Sequence, residues 1–284
     1  MKRLDPRISQ KIAFSLLFLA TLFVLVPVGL IVLVIIKNGV GAITWEFLTT
    51  APRNGMREGG ILPAIVGTFY LAAGSIIFAG PIGVFAAIYL NEYAKKNLLT
   101  RLVNLSIINL AGVPSVVYGL FGLGIFVILL RFGASLLAGI LTLGIMSLPL
   151  IITTSREALA NVPQSFREVS LSLGASKWQT IRHVVLPNAL PGILTGNILE
   201  FSRSAGETAP ILFTVAAFYL PVLPTSIFDQ AMALPMHLYA ISTQIPNIGL
   251  DVRYATALVL LGLVFTVNSM AIIIRAKLRR KRSW

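Results

Sequence analysis

Arg167 to Ile193 reads REVSLSLGASKWQTIRHVVLPNALPGI, the longest moderately polar stretch within an otherwise nearly continuous apolar sequence. It predicts two short helices. Pro163 suits the first helical position of the first, where its missing N–H costs nothing. Gly174 stands where a left-handed C-terminal cap would end it. Ser176 and Gln179 have capping-box spacing, which predicts the start of a second helix. Pro187 is expected to stop that helix. Phe166, Val169 and Leu173 fall at i, i+3 and i+7 and give the first helix an apolar stripe. Such a stripe fits a groove on a partner, or packs back on this chain's own membrane ends. The pattern alone leaves both open. Either way, two capped helices make a rigid knob rather than a flexible linker.

Outside the knob the chain is hydrocarbon. It is 56% hydrophobic and 12% charged, where a soluble domain carries about 25% charged residues. Mean hydropathy is +0.87. The apolar runs exceed what a core helix needs and match the roughly 20 residues of a membrane span. With no cysteine, disulfides, thiol catalysis and cysteine metal sites are excluded. The net charge of +13 sits beside membrane ends, as the positive-inside rule expects. No soluble segment is long enough to carry a basic nucleic-acid face, so the expected surroundings are the lipid bilayer and protein partners, with no nucleic acid.

Working outward, six spans are expected at about 12–36, 61–90, 103–130, 134–154, 189–209 and 255–274. The first is too long for a cleaved signal peptide. Pro27 is expected to kink the first, Gly80-Pro81 to interrupt the second, and Gly112-Val113-Pro114 to break the third. Residues 37–60 read as a polar loop, 155–188 as the knob, and 211–223 as too short for a span. Phe228, Met232 and Pro235 could belong to an interfacial helix on the face away from the knob. The chain thus divides into 1–60, a tail, first span and loop, and 61–284, a core carrying the knob. Six spans put both termini on one side. Of the Lys and Arg residues, 17 lie on that side and 5 in the other loops, with Arg203 inside a span. This asymmetry places both termini and the knob in the cytoplasm.

The fifth span contains Glu200, Arg203 and Glu207, which project from one helical face. A charge at the bilayer centre costs at least ~2.5–3.5 kcal/mol. Arg203 is therefore expected to pair with Glu207 or Glu200, on a face turned toward the bundle or a watery path. Two readings stand: Arg203 faces a translocated anion or gates its path, or the three form a structural ion pair.

Glu168, Gly174 and the run through Leu186-Pro187 resemble the EAA loop of ABC importer permeases. The Glu-Ala-Ala opening reads Glu168-Val169-Ser170 here, followed by Gly-Ala-Ser-Lys-Trp-Gln at 174–179. RSAGETAPILFT at 203–214 resembles the signature of the phosphate-specific importer permeases, the PstA type, with Gly-Glu-Thr-Ala-Pro at 206–210 its specific part. Asn91-Glu92-Tyr93, Ala111 to Ser115 and Leu194-Thr195-Gly196 are similar to the same subunit. The resemblance implies an all-α membrane protein of MetI-like permease fold in the bacterial or archaeal cytoplasmic (inner) membrane. It implies a second permease of PstC type, two ATPase subunits of PstB type holding ATP and Mg, and a phosphate-binding protein of PstS type. It implies ATPase coupling through Phe166, Arg167, Glu168, Val169, Leu173 and Gly174, and the substrate path is expected to run past Arg203, Glu207 and Glu200. Glu200 lies outside the family pattern.

The alternatives are weaker. A permease for molybdate or sulfate would share the knob but not the 206–210 signature. A carrier working alone would leave the knob unexplained and commonly shows internal repeats; none is visible. His183 and His237 lie on opposite sides and make no metal site. Neither falls within a predicted span as a base for Ser115 or Ser204. No Walker-type glycine loop occurs, so the chain is expected to bind no cofactor and to hydrolyse no ATP itself.

Overall fold

The computed structural model describes residues 6–280. The long apolar runs fold as helices because a backbone in hydrocarbon must satisfy its own N–H and C=O groups. In chain order these are α1 (Pro6–Gly39), the short α2 (Trp45–Thr49), a small hairpin of β1 (Pro52–Arg53) and β2 (Glu58–Gly59), then α3 (Leu62–Ile88). There follow α4 (Leu98–Ala111), α5 (Ser115–Gly122), α6 (Leu136–Ala160), α7 (Gln164–Ser172) and α8 (Lys177–Thr180). The chain continues with α9 (Leu186–Ala205), α10 (Ala209–Thr214), α11 (Leu234–Thr243) and α12 (Leu250–Arg280). Wide π-type turns extend α3 through Tyr89–Tyr93 and α5 through Leu123–Leu129, and join α8 to α9 through Ile181–Val185.

Among the described residues, five helices are long and apolar enough to cross a membrane. The sixth expected span is a pair: α4 and the extended α5 meet at 100°. The break falls at Gly112-Val113-Pro114, as expected. The bend is sharp enough that the two halves run nearly at right angles. Pro114 cannot donate into a continuing helix, and the Tyr118 hydroxyl donates to the Leu110 carbonyl across the corner at 2.9 Å.

Other expectations change. α3 runs unbroken through Gly80-Pro81. The 37–60 loop contains a capped helical turn and a hairpin. α10 ends at Thr214, and 215–233 is irregular, tied by a bridge between Ala216 and Ala231. Only Pro235 of the proposed interfacial set is helical, in α11; Phe228 and Met232 precede it.

Packing sets the orientations. A Cβ at Gly83 would strike Ile151, and one at Gly144 would strike Phe78. The near-constant offset means that α3 and α6 run parallel at close range, as small residues permit in membranes. α9 runs antiparallel to α6: Gly192 abuts Ala158, Gly196 abuts Thr154, and Ser204 Oγ lies 3.3 Å from Ser147 Oγ.

Candidate functional site

That last register fixes the depth of the charged residues. The apolar run of α6 extends from Leu136 to Thr154. At 1.5 Å per residue, Ser147 stands about 16 Å from its start and about 10 Å from its end. Ser204 lies against Ser147, so Arg203 sits well inside the hydrocarbon depth rather than at a membrane surface.

The three charges are joined. Arg203 Nε donates to Glu200 Oε1 at 3.0 Å and Oε2 at 3.1 Å, and Nη2 donates to Oε1 at 2.8 Å. Nη1 donates to Glu207 Oε1 at 2.9 Å. The Glu200 side chain is fully buried, while that of Arg203 is 40% exposed. The expected pairing on one face is therefore present, with both carboxylates engaged. Glu207, placed by the sequence reading inside the fifth span, lies instead just beyond α9. The helix ends at Ala205, capped at Gly206, and Pro210 occupies the first turn of α10. A guanidinium has five N–H groups, so one hydrogen on each terminal nitrogen of Arg203 remains unused by the two carboxylates.

The other broken element meets this point. Gly119 packs on Ala209 and Pro210, and Gly122 on Thr214. α5 and α10 thus run in the same direction at a nearly fixed offset, which places the start of α5 beside the 206–208 break. No side chain caps that helix start. Two interrupted helices and a guanidinium converge at one depth, an arrangement suited to a passing anion.

The knob forms largely as its spacing predicts. α7 follows Pro163, which stands at the capping position, one residue outside the helix. Gly174 adopts φ +83°. Its N–H bonds the Leu171 carbonyl at 3.0 Å and that of Ala175 bonds Ser170 at 3.2 Å, completing a Schellman end. Ser176 and Gln179 form the capping box in both directions. A Cβ on Gly174 would meet nothing within 4 Å, so substitution there is a pure backbone test. Gly174→Ala is expected to cost about 1 kcal/mol. It should show as roughly fivefold faster amide exchange across 164–175, with α6 unchanged.

Pro187 does not stop the second knob helix, contrary to expectation. The Ile181–Val185 turn uses i to i+5 bonds. A wider ring relieves the clash that a proline ring makes with the carbonyl one turn back. The helix therefore passes from knob to span without a joint.

The apolar stripe splits. Phe166 packs on the core of the knob end, whereas Val169 is 61% and Leu173 83% exposed, with Leu171 and Trp178 exposed nearby. Glu168 is exposed. Arg167 turns inward. Its Nη2 donates to Glu92 Oε1 at 2.8 Å and to the Leu159 carbonyl at 2.9 Å, Nε reaches Glu92 Oε2 at 3.3 Å, and Nη1 reaches the Val162 carbonyl at 2.7 Å. Sequence reasoning gave Glu92 no role. The available signal was a lone acid beside the basic Lys95-Lys96 pair at the end of a span.

Residues 79–283 match the family described as binding-protein-dependent transport system inner membrane component. The chain belongs to this family. The matched segment runs from the second half of α3 to the C-terminal end and includes the ion cluster and the knob. Full-length likeness extends further: the phosphate transport system permease protein PstA 1 of Mycobacterium tuberculosis is 34% identical over 284 residues, covering 98% of this chain and 92% of that protein. A probable ABC transporter permease protein of Bacillus subtilis, YqgI, is 34% identical over 254 residues, 85% of this chain and 86% of its own length. Among solved structures, the inward-facing MetNI methionine ABC transporter superposes with TM-score 0.63 at 18% identity, covering 77% of this chain and 95% of that one. A bacterial ABC importer of the acidic polysaccharide alginate gives 0.64 at 16% identity, covering 94% and 99%. These structures share the permease fold. As a family member this chain is a membrane transport subunit rather than a catalytic one.

Proposed function

We propose that this chain is the membrane-spanning permease subunit of an ATP-driven importer of inorganic phosphate. What carries the reading is a guanidinium with two unused N–H groups at mid-depth, in a chain matched along nearly its full length by phosphate transport system permease proteins. Arg203 is bound three times to buried Glu200 but once to Glu207, which sits at a chain break. Phosphate therefore displaces Glu207 rather than Glu200, while the uncapped start of α5 supplies further N–H groups. At rest both carboxylates occupy the guanidinium, so the path admits an anion only once the spans rearrange.

The knob faces the cytoplasm together with both termini, following the charge asymmetry. Val169 and Leu173 form the apolar docking face for an ATPase subunit, with exposed Trp178 nearby, and Glu168 lies on the same helix. Two such ATPases carry ATP and Mg, a second related permease completes the path, and a phosphate-binding protein delivers substrate on the opposite face. ATP closure of the ATPase pair moves the knob, and the unbroken α8–α9 connection transmits that movement toward Arg203.

The test is ATP-dependent uptake of labelled phosphate by the assembled complex in vesicles, with sulfate and molybdate as competitors. Uptake that neither competitor reduces is expected. Competition at similar concentrations would reassign the cargo to oxyanions in general, and absence of any phosphate uptake would overturn the assignment.

A further inference from the structure

Arg167 stands within the proposed docking segment, yet its guanidinium faces away from the exposed Val169 and Leu173. Its side chain is 12% exposed and that of Glu92 8%. The four hydrogen bonds of Arg167 reach three pieces of chain: the carboxylate at the end of the extended α3, the Leu159 carbonyl in the last turn of α6, and the Val162 carbonyl in the α6–α7 link. Beside it, Leu159, Val162 and Ile181 belong to one buried cluster that also holds Ile88, Ile152 and Val185. Asn91 adds a 2.8 Å bond to Glu92 Oε1, holding the carboxylate toward the guanidinium. Lys177 Nζ stands 4.9 Å over the Tyr93 ring, a second tie between the end of α3 and the start of α8.

We infer that the Glu92–Arg167 pair is the clamp that makes α3 move with the knob. The inference rests on the importer reading above and adds to it a positioning residue, Glu92, that lies 75 positions before Arg167 and outside the docking segment. α6 and α9 are joined to the knob covalently, through the α6–α7 link and the α8–α9 turn. α3 has no covalent link to it; beside the shared apolar cluster and the Lys177–Tyr93 contact, this pair is its buried ionic tie to α7. A push delivered to α7 reaches α3 through a hydrogen-bonded ion pair that is buried on both sides, where an unpaired partner is costly. α3 packs against both α6 and α9; an α3 left behind would keep the span bundle from rearranging as a unit.

Glu92→Gln tests this, because it keeps shape and removes the charge. In the complete complex, phosphate uptake is expected to fall at least about tenfold, the factor equivalent to about 1.4 kcal/mol, while ATP hydrolysis stimulated by the binding protein persists. The number of ATP molecules spent per phosphate moved therefore rises. The reversed pair, Glu92→Arg with Arg167→Glu, is expected to regain part of the lost coupling, a rescue that a packing role for either residue alone would not produce. Normal uptake by E92Q overturns the inference. So does a parallel loss of ATP hydrolysis and uptake, or a reversed pair no better than the worse single variant. A wild-type complex that moves no phosphate would instead refute the importer reading, so the two failures are distinguishable.

Discussion

Arg203→Ala is expected to abolish phosphate uptake and to deplete the assembled permease from the membrane. The second effect follows from burial. Glu200 is wholly buried and its carboxylate takes three of the four bonds that Arg203 makes in the cluster. Removing the guanidinium leaves a bare carboxylate inside the spans, and breaking one partner of a buried pair costs about 3–5 kcal/mol. Loss of the single variant therefore cannot by itself separate transport from architecture. A neutral double variant, Glu200→Gln with Arg203→Met, removes both charges and most of that penalty. It is expected to recover membrane levels, measured by detergent extraction and size-exclusion chromatography, while uptake stays below about 1% of wild type, a loss of about 2.7 kcal/mol or more in transport efficiency. Recovery of uptake with recovery of assembly would mean that the cluster is a structural lock and that phosphate passes elsewhere.

Leu173→Arg is expected to separate the permease from its ATPase while leaving the permease itself intact. Leu173 is 83% exposed, follows the last helical residue of α7, and stands next to the Gly174 cap. No buried cluster includes it, so its replacement has little to disturb within the chain. An apolar anchor at the centre of a docking face is commonly worth 2 kcal/mol or more, about a 30-fold change in affinity. Buried against an apolar groove, an arginine adds a desolvation cost. Co-purification of the ATPase with a tagged permease should fall accordingly, with unchanged permease yield and thermal stability. Retained ATPase at wild-type levels would show that α7 docks by another face. The more buried Phe166 is the contrasting control: Phe166→Ala is expected to lower stability, because that side chain belongs to the knob-end core.

Much of this was legible in residue order, for local reasons. Hydrocarbon length and the scarcity of charge identified the spans. Glycine at 174 marked a left-handed end because few other residues accept that backbone cheaply, and Ser176 with Gln179 marked a helix start because both bonds of a capping box close within four residues. The three- and seven-residue spacing brought Glu200, Arg203 and Glu207 to one side before any packing was known. Each of these features depends on neighbours within about two helical turns, and periodicity reports them directly.

What the tertiary structure alone decided depends on residues far apart in the chain. The pairing of Arg167 with Glu92 spans 75 positions, and nothing in either local stretch distinguishes an inward guanidinium from one offered to a partner. The same is true of the stripe, where spacing aligned Phe166 with Leu173 but only the packed knob end separated the buried from the exposed. Pro187 read as a stop because a proline clashes in an ordinary helix, and a π-type turn upstream removed the clash. The depth of Arg203 came from the α6–α9 register, set by Gly192 on Ala158, Gly196 on Thr154 and Ser204 on Ser147. Sequence determined that the chain crosses a membrane, carries a rigid knob and pairs an intramembrane arginine. Close packing between helices, a property of shapes that meet only in the fold, decided where that arginine sits and which side chains of the knob turn inward.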